Sequence, residues 1–287
     1  MVENGEIDQN MKIAQYYDKD RIRLGRIEGE NVIPIDFQGD MISFINSRSD
    51  LRDSGEPVSI DGIRFAPSVS RPSKIIGIGL NYRDHINESK GKVPEIPMIF
   101  AKFPNTLLGH KGQITWNSNL TRKVDFEAEL AVIIGKEIYE CPEDEAMEGV
   151  FGYTCGNDVS ARDLQFADGQ WVRGKSPDTF CPLGPWVVTS EEIVDPHSLG
   201  IKSLLNGRIM QDSNTSLMLF KLPSLISFLS RSFTLVPGDV ILTGTPHGVG
   251  CFREPSVYMK DGDEIVVEIE GVGRLENSCR TYYSVDN

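Results

Sequence analysis

Cysteine is scarce and unpatterned. The 287 residues hold five, Cys141, Cys155, Cys181, Cys251 and Cys279, with no CxxC spacing. That argues against a disulfide framework or a thiolate zinc site, and makes reduced thiols in a cytoplasmic protein the expectation. Positive charge is also short: 29 Lys and Arg against 42 Asp and Glu give a formal net charge of −13. Such a surface is a poor general partner for nucleic acid or anionic membranes. An anionic small substrate remains compatible, because a bound cation and a few buried bases reverse the sign locally. No apolar run is long enough to span a bilayer, and the N-terminus shows no basic-then-apolar signal peptide. The 39% hydrophobic and 25% charged residues describe an ordinary globular chain, long enough for one large domain or a large and a small one.

Residues 1–10 are polar and read as a loose tail. Residues 11–70 read as a small α+β domain. In it, strands KIAQYY, RIRLGRIEG and NVIPID turn at Glu28-Gly29-Glu30-Asn31, a short helix covers MISFINSR (41–48), and a hairpin turns at Asp61-Gly62. From residue 71 to 287 the chain reads as a β-rich catalytic domain without alternating βαβ units. Lys74–Leu80 is a buried strand whose Gly77 and Gly79 form no dinucleotide fingerprint. Further expectations are a helix over Glu143–Glu148, one strand through VFGYTCGNDVSARDLQ, and a long three-proline loop from Trp171 that ends in a strand. Beyond it lie a hairpin at Asn206-Gly207, a helix through SLMLFKLPSLISFLSRS and a closing hairpin in DGDEIVVEIEGVGRLENSC.

The chemistry centres on Val124–Gly135. At a period of two, Val124, Phe126, Ala128, Leu130, Val132 and Ile134 share one face, while Asp125, Glu127, Glu129, Ala131 and Ile133 share the other. Carboxylates about 7 Å apart along a strand repel, and a divalent cation relieves them. The alternative is an edge strand that shows acid to solvent. Asp158 could complete an oxygen-rich site suited to Mg²⁺ or Mn²⁺, and the lack of nearby Cys or paired His speaks against zinc. In His85-x-x-Glu88, one helical turn lets Glu88 orient His85 as a general base; an incidental loop histidine is the plainer reading. In Arg162-Asp163-Leu164-Gln165, with Lys175 in the long loop, the cations would either neutralise the acids or bind an anionic substrate. Thr243-Gly244-Thr245-Pro246 offers hydroxyls and N–H groups for a carboxylate, or is an ordinary turn.

The motifs GLNYRDH, DFEAELAVIIG, GYTCGNDVSARDLQ, RGKSPDTFCPLGPW, NG…QDSNTSLMLF and PGDVILTGTPHGVG, in this order from about Ser73 to Gly273, resemble the fumarylacetoacetate hydrolase superfamily. The resemblance implies a mixed β-roll catalytic domain, usually a homodimer, with one Mg²⁺ or Mn²⁺ on Glu127, Glu129 and Asp158. It implies His85 and Glu88 as a dyad on a short lid, Lys175 as the active-site lysine, and Arg162, Gln165, Gly244 and Thr245 along the substrate. Asp125 falls behind the ligands as an orienting carboxylate. The hydrolase that names the family carries a further metal carboxylate where this chain has Gly77-Ile78-Gly79. This points to the branch of acylpyruvate hydrolases, oxaloacetate decarboxylases and 2-hydroxyhepta-2,4-diene-1,7-dioate isomerases. The expectation is a metal-dependent enzyme that forms an enolate from short 2-oxo or 2,4-dioxo acids, with C–C hydrolysis of an acylpyruvate-like or sugar-derived diketo acid first and decarboxylation or isomerisation as alternatives. A non-enzymatic metal-binding β-roll would have no use for Lys175 and the dyad together. An Fe(II) oxygenase would want two histidines in its triad. His110 and His247 receive no role, and His197 is expected at the surface.

Overall fold

A computed structural model describes residues 11–47, 49 and 51–283, so the expected tail 1–10 lies outside it. The chain opens with β1 (Lys12–Asp18), β2 (Arg21–Glu28) and β3 (Asn31–Pro34), antiparallel neighbours, with Glu28 facing Asn31 across the expected turn. Helix α1 (Met41–Ser47) buries Met41, Phe44 and Ile45. The hairpin expected at Asp61-Gly62 does not form. Strand β4 (Val58–Ser59) pairs with β3, β5 (Arg64–Phe65) pairs with β1, and Ile60–Gly62 is a single 3₁₀ turn. Each short strand finds an open edge instead of its sequence neighbour: β5 takes the Tyr16–Tyr17 end of β1, which the later strand paired at Lys12–Ile13 leaves free.

Next come β6 (Ile75–Gly79), α2 (Arg83–Ser89), β7 (Met98–Lys102), β8 (Leu107–Leu108), β9 (Gln113–Asn117), β10 (Val124–Asp125) and β11 (Ala128–Ile134). The helix expected over Glu143–Glu148 is only a 3₁₀ turn, Ala146–Gly149. Four acids in six residues repel one another there, and Gly149 passes so close to Ile138 that the chain turns at once into β12 (Val150–Asn157). The single strand expected through Gln165 breaks at Asp158, continuing as β13 (Ser160–Ala161) and helix α3 (Arg162–Ala167). The long loop from Trp171 is mostly structured. Helix α4 (Val172–Lys175) occupies its start, and β14 (Cys181–Thr189) takes in Pro182 and Pro185, where its ladder with β12 shifts register between Tyr153 and Cys155. Prolines cannot donate to a ladder, and an interrupted register tolerates them.

Strands β15 (Gly200–Leu205) and β16 (Arg208–Asn214) form the expected hairpin, with Asn206 and Gly207 both at positive φ as a type I′ turn requires. Helix α5 (Leu222–Ser230) starts later than expected. Pro223 sits in its first turn, and the preceding Thr215–Leu217 is a separate 3₁₀ turn capped by Asn214. His197, expected at the surface, is partly buried, and its Nε2 accepts the Leu222 N–H at 3.0 Å, satisfying an orphan donor of α5. The chain ends with β17 (Val240–Leu242) and the hairpin β18 (Glu264–Ile269) and β19 (Gly273–Tyr282).

The large mixed sheet runs β4-β3-β2-β1-β14-β12-β11-β17-β6-β7, and a smaller one runs β16-β15-β18-β19-β9. Strand β11 lies inside the large sheet, between β12 and β17, with every residue buried, so the edge-strand alternative is excluded. Ala128, Leu130, Val132 and Ile134 pack towards α5 and the second sheet, while Ala131 and Ile133 pack towards α1 and β14. Burial on both faces explains why the acidic row gives way to Ala131 and Ile133. No helix among the described residues is long and apolar enough to cross a membrane.

Candidate active site

The acidic row leaves regular pairing between β10 and β11, and the site is built at that break. The Glu127 N–H donates to Asn157 Oδ1 at 3.0 Å, and the Asp158 N–H donates to the Glu127 carbonyl at 2.9 Å. These bonds bring Glu127, Glu129 and Asp158 together, all buried, with one carboxylate oxygen from each within 4.8 Å of the others. Buried oxygen donors without a thiolate or imidazole among them fit a hard divalent cation.

The charges around the triad explain its protonation. Burial would raise the Glu127 carboxyl, but Lys175 and Arg162 outweigh it and hold the group at about 2. Lys175 Nζ lies 2.9 Å from Glu127 Oε2 and 2.5 Å from Asp158 Oδ2, while Arg162 Nη1 lies 2.6 Å from Glu127 Oε1. Among the described residues Glu129 has no ion-pair partner, and Lys175 acts on it only as a smaller, lowering charge. Burial, then the charges of Asp158 and Glu127, push its carboxyl well above the ordinary range, against the N–H of Gly244 that donates to Oε2 at 2.7 Å. Like-charge stress at a buried carboxylate is what a bound cation relieves. Four buried carboxylates, counting Asp125, face three buried bases, so a divalent cation would reverse the local sign.

Asp125 lies away from the triad. It accepts the N–H groups of Gly250 and Cys251 and takes Arg162 Nε at 2.8 Å. Arg162 thus joins Asp125 to Glu127, and its Nη1 also reaches Gln165 Oε1 at 3.0 Å. Its Nη2 is buried and has no hydrogen-bond partner among the described residues. A native chain seldom leaves such a donor unused. Helices α3 and α4 bring Arg162, Gln165 and Lys175 together because a Cβ at Gly174 would stand 2.6 Å from the Gln165 nitrogen, so only glycine fits that crossing. Thr245 Oγ1 accepts from Gln211 Nε2 at 2.8 Å.

His85 and Glu88 face each other on α2, with Nδ1 3.2 Å from Oε2. Glu88 Oε1 also accepts the Gly248 N–H at 2.9 Å. A cavity of about 130 Å³ gathers these parts: His85, Glu127, Glu129, Arg162, Lys175 and Thr245 all line it. Gly244 stands behind it, its N–H already committed to Glu129.

Four participants carry no role in the sequence pattern. Lys102, fully buried, donates to Asp158 Oδ1 at 2.5 Å; its signal was a lone lysine within the apolar run MIFAKF. His247 Nδ1 lies 2.8 Å from Asp84 Oδ2, with Ser213 Oγ donating to the same carboxylate oxygen at 2.6 Å. This cluster ties α2 to β16 and the loop after β17, and no local pattern announces a partner so distant in the chain.

The fold and the site define an enzyme built on a mixed β-sheet around an acidic triad. The model of the fumarylacetoacetate (FAA) hydrolase C-terminal family matches residues 74–280, and the chain belongs to this family. The oxaloacetate tautomerase Fahd2a, mitochondrial, of Rattus norvegicus is 47% identical over 216 residues, covering 75% of this chain and 69% of that protein. Among solved structures, a fumarylacetoacetate hydrolase from Exiguobacterium antarcticum superposes with a TM-score of 0.86 at 35% identity, over 95% of this chain and 100% of the other. A 2-hydroxyhepta-2,4-diene-1,7-dioate isomerase from Mycobacterium marinum superposes at 0.81 and 33%, over 96% and 100%. The chain is an enzyme of the tautomerase, isomerase and hydrolase group that this family contains.

Proposed function

We propose that this chain is a Mg²⁺- or Mn²⁺-dependent enzyme that interconverts keto and enol forms of a short 2-oxo dicarboxylic acid such as oxaloacetate. The observation that carries the reading is the unpartnered, buried Arg162 Nη2, next to the acidic triad and Lys175, in a cavity of about 130 Å³. That is room for roughly four water molecules, far below an ordinary drug-sized pocket, and it suits a short acid. The named activity of the rat relative supports the same choice.

Glu127, Glu129 and Asp158 would hold the cation, which when bound supplies Lewis acidity at the carbonyl oxygen. Arg162 Nη2 binds the substrate carboxylate. Lys175 Nζ donates to the developing enolate oxygen and is kept charged for this role, since Asp158 and Glu127 outweigh the burial that would lower its pKa and raise it instead. Glu88 engages His85 Nδ1, leaving Nε2 to take the C3 proton on enolisation while Lys175 Nζ gives a proton to the enolate oxygen; ketonisation reverses both transfers.

A second reading, hydrolysis of a C–C bond in an acylpyruvate-like acid, is favoured by the His85–Glu88 dyad, which could equally deprotonate a water. Decarboxylation also develops an enolate on the 2-oxo oxygen, with CO₂ instead of a proton leaving C3. His85→Ala separates them. Loss of hydrolysis with tautomerisation or decarboxylation retained makes His85 the water-activating base, whereas equal loss of all makes it the proton carrier proposed here. Glu127→Gln and Glu129→Gln are each expected to abolish stoichiometric Mn²⁺ binding in calorimetry; retained stoichiometry would remove the ligand assignment. The reading includes a homodimer, by family resemblance, and a monomer in sedimentation equilibrium would contradict it.

A further inference from the structure

Strand β6 is buried throughout, yet it carries Gly77 and Gly79. Glycine weakens a strand interior unless something must approach the backbone closely. A Cβ at Gly77 would stand 2.2 Å from Phe100 Cζ, and one at Gly79 would stand 2.7 Å from Trp171 Cζ3. Both rings therefore rest on bare backbone. They meet edge to face, centroids 5.6 Å apart at 63°. On one side they line the active-site cavity of about 130 Å³. On the other they line a surface groove of about 810 Å³, whose wall includes Ile76, Met98, Ile99 and Phe103. Phe100 is also fixed from the polar side, with Lys175 Nζ 5.0 Å from its ring centroid.

We propose that the Phe100–Trp171 pair, seated on Gly77 and Gly79, is the partition that limits the length of the distal group a 2-oxo acid can carry into this site. The inference rests on the reading above and adds the element that sets its substrate class. The triad, Lys175 and Arg162 take the 2-oxo carboxylate end of the acid, so a longer distal group directed at β6 meets the two rings. Apolar space lies just beyond them. Trp171 is the informative residue, because its ring bears on the cavity, and its carbonyl bond to the Lys175 N–H survives truncation of the side chain.

The test uses the full chain loaded with Mn²⁺ and a series of N-alkyl oxamates, methyl to hexyl, titrated by calorimetry. Oxamates present a 2-oxo carboxylate but do not turn over. The wild type is expected to lose affinity sharply as the alkyl group lengthens. Trp171→Ala is expected to remove that loss, shifting the hexyl-to-methyl affinity ratio by about ten- to a hundredfold, the scale on which an apolar pocket discriminates size. A thermal melt reports folding, and Trp171→Leu carries the same measurement if the alanine variant does not fold. Parallel length profiles in the wild type and a folded variant would overturn the partition while leaving the parent reading intact. Failure of every oxamate to bind the wild type would overturn both.

Discussion

Arg162 shows how much one side chain decides here. It spans Asp125 and Glu127, and still has a buried donor to spare. Arg162→Lys keeps the charge but loses the fork, and is expected to raise KM for an oxo acid about tenfold or more while Mn²⁺ binding persists. Initial rates with calorimetry check this, and an unchanged KM would separate Arg162 from the substrate. Another residue sets a pH limit. His110 is buried, accepts the Glu276 N–H at 3.0 Å and stacks edge-on against Phe65; burial lowers its pKa from 6.5 to about 4. Between those values the unfolded chain binds a proton that the folded chain refuses. The His110 contribution to stability is therefore level above pH 6.5 and is lost as pH drops towards 4, by up to about 3 kcal/mol. Urea unfolding across that range should show a shallower slope for His110→Gln; identical slopes would contradict it. At this scale the sequence was most readable where a charged residue interrupts an apolar pattern, as Glu127, Glu129 and Asp158 do. Lys102 escaped because a lysine at the end of a strand resembles an ordinary solvated one, and only the fold places Asp158 against it.

Among the elements, α2 has seven residues, too few to be stable alone, and is held by what surrounds it. Asp84 takes Ser213 and His247, and Glu88 takes the Gly248 N–H. Leu80 and Lys90, on either side of the helix, both sit at φ 53°, a left-handed conformation that non-glycine residues adopt only under constraint. Asp84→Ala is expected to release α2 and lower kcat between about ten- and a hundredfold, because a base displaced by an ångström loses its geometry. Metal affinity should not change, and a drop in Mn²⁺ affinity with kcat intact would mean that Asp84 acts on the triad instead. Elements with local determinants were legible. Asn206-Gly207 demanded its turn, and the alternation through Val132 marked β11. Elements decided by competition were not: β4 and β5 chose distant edges over each other, and Pro223 set the start of α5 against an apolar run that began earlier.

Across the whole molecule, the net charge of −13 and the anionic substrate proposed for the site are reconciled by burial. Lys102, Arg162 and Lys175 are hidden with the acids they face, where a low dielectric makes their fields count. The two sheets meet on one face of β11 and α1 covers the other, so Glu129 sits on a strand buried on both faces, and Glu127 and Asp158 join it from the chain just outside β11 and β12. A rigid interior suits a site whose carboxylates must stay close despite repulsion. The central claim, a cation-dependent enolate chemistry on a short 2-oxo acid, is tested most directly on metal-stripped enzyme with Mg²⁺ or Mn²⁺ added back. Oxaloacetate and acylpyruvates would be followed separately for enol loss, CO₂ and pyruvate. Metal-dependent acceleration of oxaloacetate ketonisation is the expected result. Stoichiometric metal binding without turnover of any of these acids would leave the fold and the ligand set standing and contradict the function.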